Sequence, residues 1–284
     1  MAPTFKTIAL MGKQNKPEVI STLKNLMAYL SKQKIQLILE KNTAELLASD
    51  LPHFSLDCLC NHADLLIVVG GDGSLLSAAR HACLHNLPLL GVNCGRLGFL
   101  NDISPAKIEK IADILQGKFH SEKRFSLGAQ IKNVWQDIAL NDIVLLAGTA
   151  GHMINFSITV ENTPVCTYDA DGLIITTPTG STAHALSGGG PILHPELNAI
   201  ALVPMFSHNL SSRPIVLGAD NLVTITLSPY NTEPARISCD GQMHTAIKPG
   251  YAIHITKAQQ ELHLIHPLDY DYFEALRTKL RWEK

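Results

Sequence analysis

The chain has 284 residues, enough for one large domain or two ordinary ones, and 46% of them are apolar while 17% are charged. Its 23 basic and 25 acidic side chains give a formal net charge of −2, so no basic excess favours nucleic acid or an anionic membrane as the main partner. No apolar run approaches the roughly 18 residues of a membrane span. The N-terminal residues lack the apolar stretch of a signal peptide, and we therefore expect a cytoplasmic protein.

Six cysteines are scattered along the chain, and a disulfide framework is not expected in a cytoplasmic protein of this length. Cys58 and Cys60 form a Cys-x-Cys pair with His53 and His62 nearby. No second ligand pair follows at the spacing of a zinc site, so we do not predict a metal site at these residues.

The first hundred residues alternate between strand-like and helix-like patterns. Apolar residues recur at helical spacing over 19–30, and residues 75–85 have a helical pattern too. No Gly-x-Gly-x-x-Gly follows the first strand, so this half is not an ordinary dinucleotide-binding unit. The βαβ alternation predicts a mostly parallel sheet flanked by helices. Short apolar runs predict its strands over 7–11, 35–39, 65–69 and 88–92.

Beyond about residue 100 the pattern changes to short strands with an apolar residue at every second position, as in 154–160 and 223–227. We therefore expect a β-rich, sandwich-like domain over 101–267, after an N-terminal α/β domain over 1–100. Phe273, Leu276 and Leu280 make a helical stripe near the C-terminus. The tail 268–284 is expected to pack back on the first domain.

A glycine-bracketed aspartate, Gly70-Gly71-Asp72-Gly73-Ser74, follows the apolar run 65–69. The glycines let the backbone turn sharply and approach a ligand closely, and open α/β sheets bind their ligands at the carboxyl ends of strands. Because a carboxylate repels phosphate, Asp72 must either hold a cation or accept a proton. The turn therefore indicates phosphoryl transfer, with Asp72 as a metal-linked group or as a general base.

Three further segments place polar residues beside apolar runs. Asn141-Asp142 interrupts the run 138–145, either as a strand end or bulge or as a buried pair aimed at a ligand. In 171–184 a strand leads into Thr179-Gly180-Ser181-Thr182, whose hydroxyls either bind phosphate or ribose or cap a helix. Asp240-Gly241, by itself, is typical of a hairpin turn.

Together these segments resemble the NAD kinases, the ATP-NAD 2′-phosphotransferases. A Gly-Gly-Asp-Gly turn by itself also resembles diacylglycerol and sphingosine kinases and phosphofructokinases, but the combination is highly specific and runs in family order from about residue 65 to the C-terminus. The resemblance rests on Gly70-Gly71-Asp72-Gly73, Asn141-Asp142 and Thr177-Pro178-Thr179-Gly180-Ser181-Thr182-Ala183, with support from Gly189-Gly190-Pro191-Ile192, Ser211-Ser212-Arg213-Pro214 and Tyr272-Phe273-Glu274-Ala275-Leu276-Arg277.

The resemblance implies an N-terminal α/β domain and a C-terminal β-sandwich-like domain, with NAD between them. It implies a kinase that transfers the γ-phosphoryl group of ATP to the 2′-hydroxyl of the adenosine ribose of NAD, giving NADP and ADP. It also implies Mg²⁺ or another divalent cation, held mainly by the ATP phosphates, while any metal ligands in the protein stay unknown. A homodimer or homotetramer is the implied assembly.

Carried over to this sequence, the resemblance makes Asp72 the general base on the ribose 2′-hydroxyl. Asn141 and Asp142 would hold the ribose and adenine side of NAD. Phe99 would contact NAD near the adenine, with a core aromatic at the domain junction as an equal alternative. The phosphate-binding turn would consist of Gly70, Gly71, Gly73 and Ser74, and the remaining NAD-binding residues would be Gly73, His152, Asp169, Asp171, Thr182, Ala183, His184, Ser187 and Gln242.

Two departures from the usual family pattern matter, besides the small change of glycine for the more usual alanine at position 188. Ser74 replaces threonine but keeps the hydroxyl, and His184 stands where tyrosine is usual. Imidazole is shorter than a phenol and titrates near neutral pH, so contacts to the dinucleotide there are expected to differ.

Two other functions stay open. A lipid kinase of the diacylglycerol type would need an apolar acceptor groove or a basic membrane-binding patch, and the sequence contains neither. A dinucleotide-binding sensor without activity is disfavoured, because Asp72 and the Asn141-Asp142 pair are both present.

Overall fold

The computed structural model of the chain describes residues 4–13, 15–94, 98–149 and 151–282. By its contacts the chain divides into unit 1, Met1–Lys123 with Leu262–Lys284, and unit 2, Arg124–Glu261. The domain boundaries expected from the sequence lie after residues 100 and 267. The boundaries between the two units differ from these, because Ile111, in a short helix, and Ile265, near the end of the last strand, pack into the core of unit 1. None of the helices in the described part of the chain has the length and apolarity that crossing a bilayer requires.

The described residues form helices and strands with the following bounds. The helices are α1 (Pro17–Leu30), α2 (Lys41–Leu47), α3 (Leu56–Leu59), α4 (Asp72–Leu84), α5 (Lys110–Leu115), α6 (His184–Ser187) and α7 (Tyr272–Leu280), with 3-10 turns at Pro105–Lys107 and Thr179–Thr182. The strands are β1 (Thr7–Gly12), β2 (Gln36–Glu40), β3 (His53–Phe54), β4 (Leu65–Gly70), β5 (Leu89–Asn93), β6 (His120–Ile131), β7 (Trp135–Ala139), β8 (Asp142–Ala147), β9 (Ile154–Val160), β10 (Thr163–Ala170), β11 (Gly172–Thr176), β12 (Ala199–Met205), β13 (Ile215–Gly218), β14 (Val223–Leu227), β15 (Ala235–Cys239), β16 (Met243–Ile247) and β17 (Ala252–His266).

Unit 1 contains a parallel sheet in the order β3-β2-β1-β4-β5, and Leu264 of β17 pairs in parallel with Leu89 of β5. All six residues of β4 are buried, as expected for a strand that helices cover on both faces. Helix α1 buries Val19, Leu23 and Leu26 at helical spacing. The predicted α/β architecture with a mostly parallel sheet is therefore confirmed.

Unit 2 is a sandwich of antiparallel strands. One sheet has the order β10-β9-β14-β17, with β6 pairing both β17 and β7, and the other has the order β13-β12-β11-β8-β15-β16. Alternate residues of β9, such as Phe156 and Ile158, are buried and meet Ile143 and Leu173 of the other sheet in one core. This confirms the sandwich-like second half, since the period of two selects one buried face per strand.

Two local expectations need correction. The run 138–145 is not one interrupted strand: β7 ends at Ala139 and β8 begins at Asp142, and the two strands belong to different sheets. The C-terminal helix is present, but Phe273 of the expected apolar stripe is 54% exposed while Leu276 is buried. The buried residues of helix α7 are the adjacent Ala275 and Leu276.

Candidate active site

Gly70 and Asp72 lie at the carboxyl end of β4, where the strand order of unit 1 reverses. Strands β2 and β3 lie on one side of β1, and β4 and β5 lie on the other. The carboxyl ends of β1 and β4 therefore form a topological switch point, which is where open α/β sheets bind their ligands. Lys13, just beyond β1, also reaches this edge, because its Nζ donates to Ser77 Oγ of α4 at 3.0 Å.

The carboxylate of Asp72 is held by the segment that follows residue 98. Its Oδ2 accepts from Phe99 N at 2.9 Å, and its Oδ1 accepts from Leu100 N at 3.2 Å and from Asn101 Nδ2 at 3.3 Å. An ionised carboxylate can accept about four hydrogen bonds, so these donors fix its orientation without using all of its capacity. The half-buried carboxylate is thus oriented and keeps capacity for a further hydrogen bond.

The glycines around Asp72 leave the backbone of the turn open. A Cβ built on Gly71 or Gly73 meets no heavy atom within 4 Å. Gly70 has φ +155°, and a Cβ there would lie 2.6 Å from Ser74 Oγ, so this position requires glycine. Ser74 is buried beneath the turn. Residues 95–97, which precede Phe99 closely in the chain, lie outside the described residues.

In unit 2, Leu140 and Asn141 connect β7 to Asp142, the first residue of β8, where the chain passes from one sheet to the other. The carbonyl groups of this turn are held from one side by two threonines at the end of β11. Asn141 O accepts from Thr177 N at 2.9 Å and from Thr176 Oγ1 at 3.1 Å, and Leu140 O accepts from Thr177 Oγ1 at 2.5 Å. The pair is therefore both a strand end and a hydrogen-bonded turn.

The amide groups of the same turn are held from the other side by Asp240. Its carboxylate accepts from Leu140 N at 2.9 Å, Asn141 N at 2.7 Å and Asp142 N at 3.3 Å. Asp240 lies in the hairpin between β15 and β16, as its Asp-Gly sequence predicts. That sequence pattern gave no sign of the three bonds, because their donors lie 98 to 100 positions away.

Both side chains of the Asn141-Asp142 pair have properties of ligand-binding groups. The Asn141 Oδ1 atom is buried and has no hydrogen-bond partner among the described residues. Asp142 is 5% exposed, and burial raises the pKa of its carboxyl to about 7, with the charge of Asp240 adding to the shift. Near neutral pH this carboxyl can therefore either donate a hydrogen bond to a hydroxyl group or accept one from it.

The hydroxyls of Thr179, Ser181 and Thr182 do not share one role. Thr179 is buried, and its Oγ1 accepts from Arg124 Nη1 at 3.2 Å. Ser181 is fully buried, donates to Pro178 O at 2.7 Å and accepts from Leu193 N at 3.0 Å. These two hydroxyls form hydrogen bonds within the fold, so of the three only the hydroxyl of the half-buried Thr182 remains a candidate for binding a ligand.

Several other candidate residues lie near the same end of the second sheet as Asn141. Thr182 and Ala183 are half-buried, and His184 and Ser187 are exposed on the short helix α6 that follows them. Gln242 is exposed in the hairpin that carries Asp240, and its backbone N–H donates to Cys239 O at 3.1 Å.

Phe99 belongs to unit 1. Its ring is half-buried, with Lys279 Nζ 5.6 Å from the ring centre.

Three candidates lie near the opposite end of this sheet, one of them on a strand of the facing sheet. Asp171 precedes β11, whose far end leads into Thr177, and six residues of strand span about 20 Å. Asp169 lies beside Asp171, at the end of β10, and accepts from Asn155 Nδ2 at 2.9 Å. His152 follows β8 and is exposed. The structure therefore does not bring these residues together with Asn141 within one chain.

Metal ligands are not grouped within the ranges that the structure describes, since no three His, Cys, Asp or Glu side chains there lie close enough to hold an ion. Cys58 is exposed and Cys60 is buried, and burial, with the charge of Asp57, raises the pKa of the Cys60 thiol to about 11. A protonated buried thiol is a poor metal ligand.

One buried polar cluster in unit 1 has no sequence motif. His266, at the end of β17, is 1% exposed and is hydrogen-bonded to Asp102 and, at 3.1 Å, to Glu122. Its ring stacks on Tyr270 with 4.0 Å between the ring centres. The three polar residues come from separate segments, and no local signal connects them.

Comparison with known proteins gives two family models that together cover most of the chain. The model of the ATP-NAD kinase N-terminal domain matches residues 8–119, and that of the ATP-NAD kinase C-terminal domain matches residues 140–267. An NAD kinase of Coxiella burnetii (strain RSA 493 / Nine Mile phase I) is 53% identical, over 99% of this chain and 96% of the relative. One of Chromohalobacter salexigens is 49% identical, over 98% of this chain and 97% of the relative.

Solved structures share the fold. A yeast NADH kinase complexed with NADH has a TM-score of 0.90 at 23% identity and covers 99% of this chain and 89% of its own. An NAD kinase from Archaeoglobus fulgidus in complex with ATP has a TM-score of 0.77 at 23% identity and covers 98% of this chain and 100% of its own. With the sequence matches over nearly its full length, the chain belongs to the ATP-NAD kinase family.

Proposed function

We propose that this chain transfers the γ-phosphoryl group of ATP to the 2′-hydroxyl of the adenosine ribose of NAD, giving NADP and ADP. The observation that carries the proposal is the oriented carboxylate of Asp72 beside an open glycine turn at the switch point of a parallel sheet. Membership of the family supports it, as do the ligands named for the two solved neighbours, NADH and ATP.

Asp72 acts as the general base. A ribose hydroxyl is a weak nucleophile at neutral pH, and a carboxylate within about 3 Å can take its proton as the new bond to phosphorus forms. The N–H groups of Phe99 and Leu100 keep the carboxylate in one orientation. Gly70, Gly71, Gly73 and Ser74 form the turn on which phosphate approaches, because the open faces of Gly71 and Gly73 present backbone rather than side chain.

Asn141 and Asp142 hold the ribose and adenine side of NAD. The buried Asn141 Oδ1 supports this role, because a buried acceptor without a partner costs about 1–3 kcal/mol and a ligand hydroxyl would satisfy it. Phe99 and the residues Thr182, Ala183, His184, Ser187 and Gln242 complete the dinucleotide site in this proposal.

Mg²⁺ or another divalent cation accompanies ATP. The residues fit a cation carried mainly by the nucleotide, because Mg²⁺ commonly binds one or two carboxylates together with substrate phosphates, and the described residues hold no cluster of three ligands. When bound, the ion neutralises charge on the phosphate oxygens.

The protein acts as a homo-oligomer, a dimer or a tetramer. Apolar exposure in unit 2 supports this: Phe206 is 82% exposed, Leu210 is 91% exposed, and the edge strand β13 exposes Ile215 and Val216. A neighbouring copy would also account for His152, Asp169 and Asp171, which lie too far from Asn141 to act with it in one chain. Light scattering at assay concentration tests the assembly. A cytoplasmic location stays a prediction.

The experiment that tests the function measures NADP formation from NAD, ATP and Mg²⁺, detected by an NADP-specific dehydrogenase. Turnover supports the proposal and excludes both the lipid kinase and the inactive sensor. Binding of NAD without NADP formation, under varied donors and metals, would instead support the sensor. Parallel reactions with NADH and with polyphosphate decide the acceptor and the donor, which the sequence leaves open.

A further inference from the structure

Asp240 takes no part in the chemistry described above, yet it makes more contacts to the Asn141-Asp142 turn than its place in a hairpin requires. Its carboxylate accepts the three successive amides of Leu140, Asn141 and Asp142. Its own amide donates to Asp142 O at 2.9 Å. Four hydrogen bonds therefore join one hairpin residue to the turn.

The hairpin places the carboxylate where it is by an unusual backbone conformation. Asp240 has φ +52° and Gly241 has φ +64°, both in the left-handed region. Asparagine, aspartate and glycine adopt this region most readily among the amino acids. The backbone conformation therefore allows asparagine, aspartate or glycine at position 240, so it does not by itself explain why the residue is an aspartate.

That reason lies in the amides of the turn. The threonines at the end of β11 hold only its carbonyl groups, because they act as donors. Successive amides that converge on one point form an anion-binding concavity, and a carboxylate is the side chain that fills it best. Asp240 does so although its charge lies near the buried carboxyl of Asp142, a like charge that disfavours this placement.

We propose that Asp240 is a positioning residue for the acceptor: it holds the amides of the Asn141-Asp142 turn so that their side chains meet the ribose of NAD in one fixed geometry. The inference rests on the proposed function in that NAD is taken as the molecule that this turn binds. The clamp, meaning the four hydrogen bonds between Asp240 and this turn, is present in the protein without ligand and can be measured separately.

Three variants test it with matched backbones. Asp240→Gly keeps the left-handed turn and removes the acceptor. Asp240→Asn keeps the turn and one carbonyl oxygen, which can still accept from Asn141 N and Asp142 N. Asn162→Gly is the control, since Asn162 lies in another hairpin of unit 2 with φ +64° and is exposed.

Steady-state kinetics should separate the acceptor from the donor. We expect Asp240→Gly to raise KM for NAD by about 10- to 100-fold, because misplacing a binding group by about 1 Å has effects of this order. KM for ATP should stay at its wild-type value. Asp240→Asn should recover part of the loss, and Asn162→Gly should behave as wild type.

Hydrogen exchange of the ligand-free protein gives the second readout. The amides of Leu140, Asn141 and Asp142 should exchange faster in Asp240→Gly than in wild type, while those of β9 and β10 should not change. Wild-type kinetics and unchanged exchange in Asp240→Gly would overturn the inference. A wild-type protein that makes no NADP would overturn the proposed function instead. The exchange rates would still show whether Asp240 holds the amides of the turn.

Discussion

Replacing Gly180 by alanine tests how closely the Asn141-Asp142 turn must be held. A Cβ on Gly180 would lie 2.2 Å from Asn141 O and 2.6 Å from Asn141 Cα. Both are backbone atoms, so no side-chain rotation relieves the contact. The two segments must separate by about 1.2 Å, the difference between 2.2 Å and the 3.4 Å of an ordinary contact.

A displacement of this size should affect catalysis more than folding. A misplacement of about 1 Å costs roughly 100-fold in rate, so we expect kcat/KM for NAD to fall about 100-fold. Overpacking of this kind lowers the free energy of unfolding by about 1–3 kcal/mol, which urea denaturation measures.

The matched control for this variant is Gly128→Ala. A Cβ on Gly128, in β6, meets nothing closer than Thr256 O at 3.8 Å, which is an ordinary contact. Both its kcat/KM and its stability should therefore equal those of wild type. A Gly180→Ala protein with wild-type kcat/KM for NAD would refute the reasoning, because the turn would then tolerate displacement.

Two further predictions concern pH. Burial lowers the pKa of His266, but Asp102 and Glu122 outweigh it and the net shift is upward. The stability that this cluster contributes is therefore fully present below pH 6.5 and is lost as pH rises through the higher folded-state pKa of His266. Urea denaturation at several pH values should show that His266→Gln no longer has this loss of stability with rising pH. For Asp142, whose carboxyl shifts from 3.8 to about 7, the folded state loses stability as pH rises between those values. Asp142→Asn should therefore be more stable than wild type above pH 7, by about 4 kcal/mol for a pKa raised by roughly 3 at about 1.36 kcal/mol per pKa unit, and should lose that advantage near pH 4.

Local pattern was sufficient for most of the elements that position the site. The apolar run over 65–69 predicts β4, observed as Leu65–Gly70, because a strand covered on both faces must be apolar throughout. Helix α4 begins at Asp72 rather than at 75, since Gly71 precedes the helix in an extended conformation. Apolar periodicity could not reveal this start, because Asp72 and Gly73 carry no apolar side chain.

Long-range polar contacts were beyond the reach of sequence patterns. The hairpin at Asp240 follows from its Asp-Gly sequence, but the three amides that its carboxylate accepts belong to a turn about 100 residues earlier. His266 joins Asp102 and Glu122 only because β17 returns to unit 1. The roles of Thr179 and Ser181 also depend on Arg124 and Leu193, which are distant in sequence.

The rate of NADP formation by Asp72→Asn tests the central claim most directly. A matched control is Asp64→Asn: Asp64 lies at the other end of β4 and also accepts backbone amides, from Lys6 N and Thr7 N at 2.8 Å each. We expect Asp72→Asn to fold and to bind NAD, and to lose turnover by about 10²- to 10⁴-fold, the usual contribution of a general base. Asp64→Asn should keep its turnover. Turnover of Asp72→Asn close to that of wild type would contradict the account.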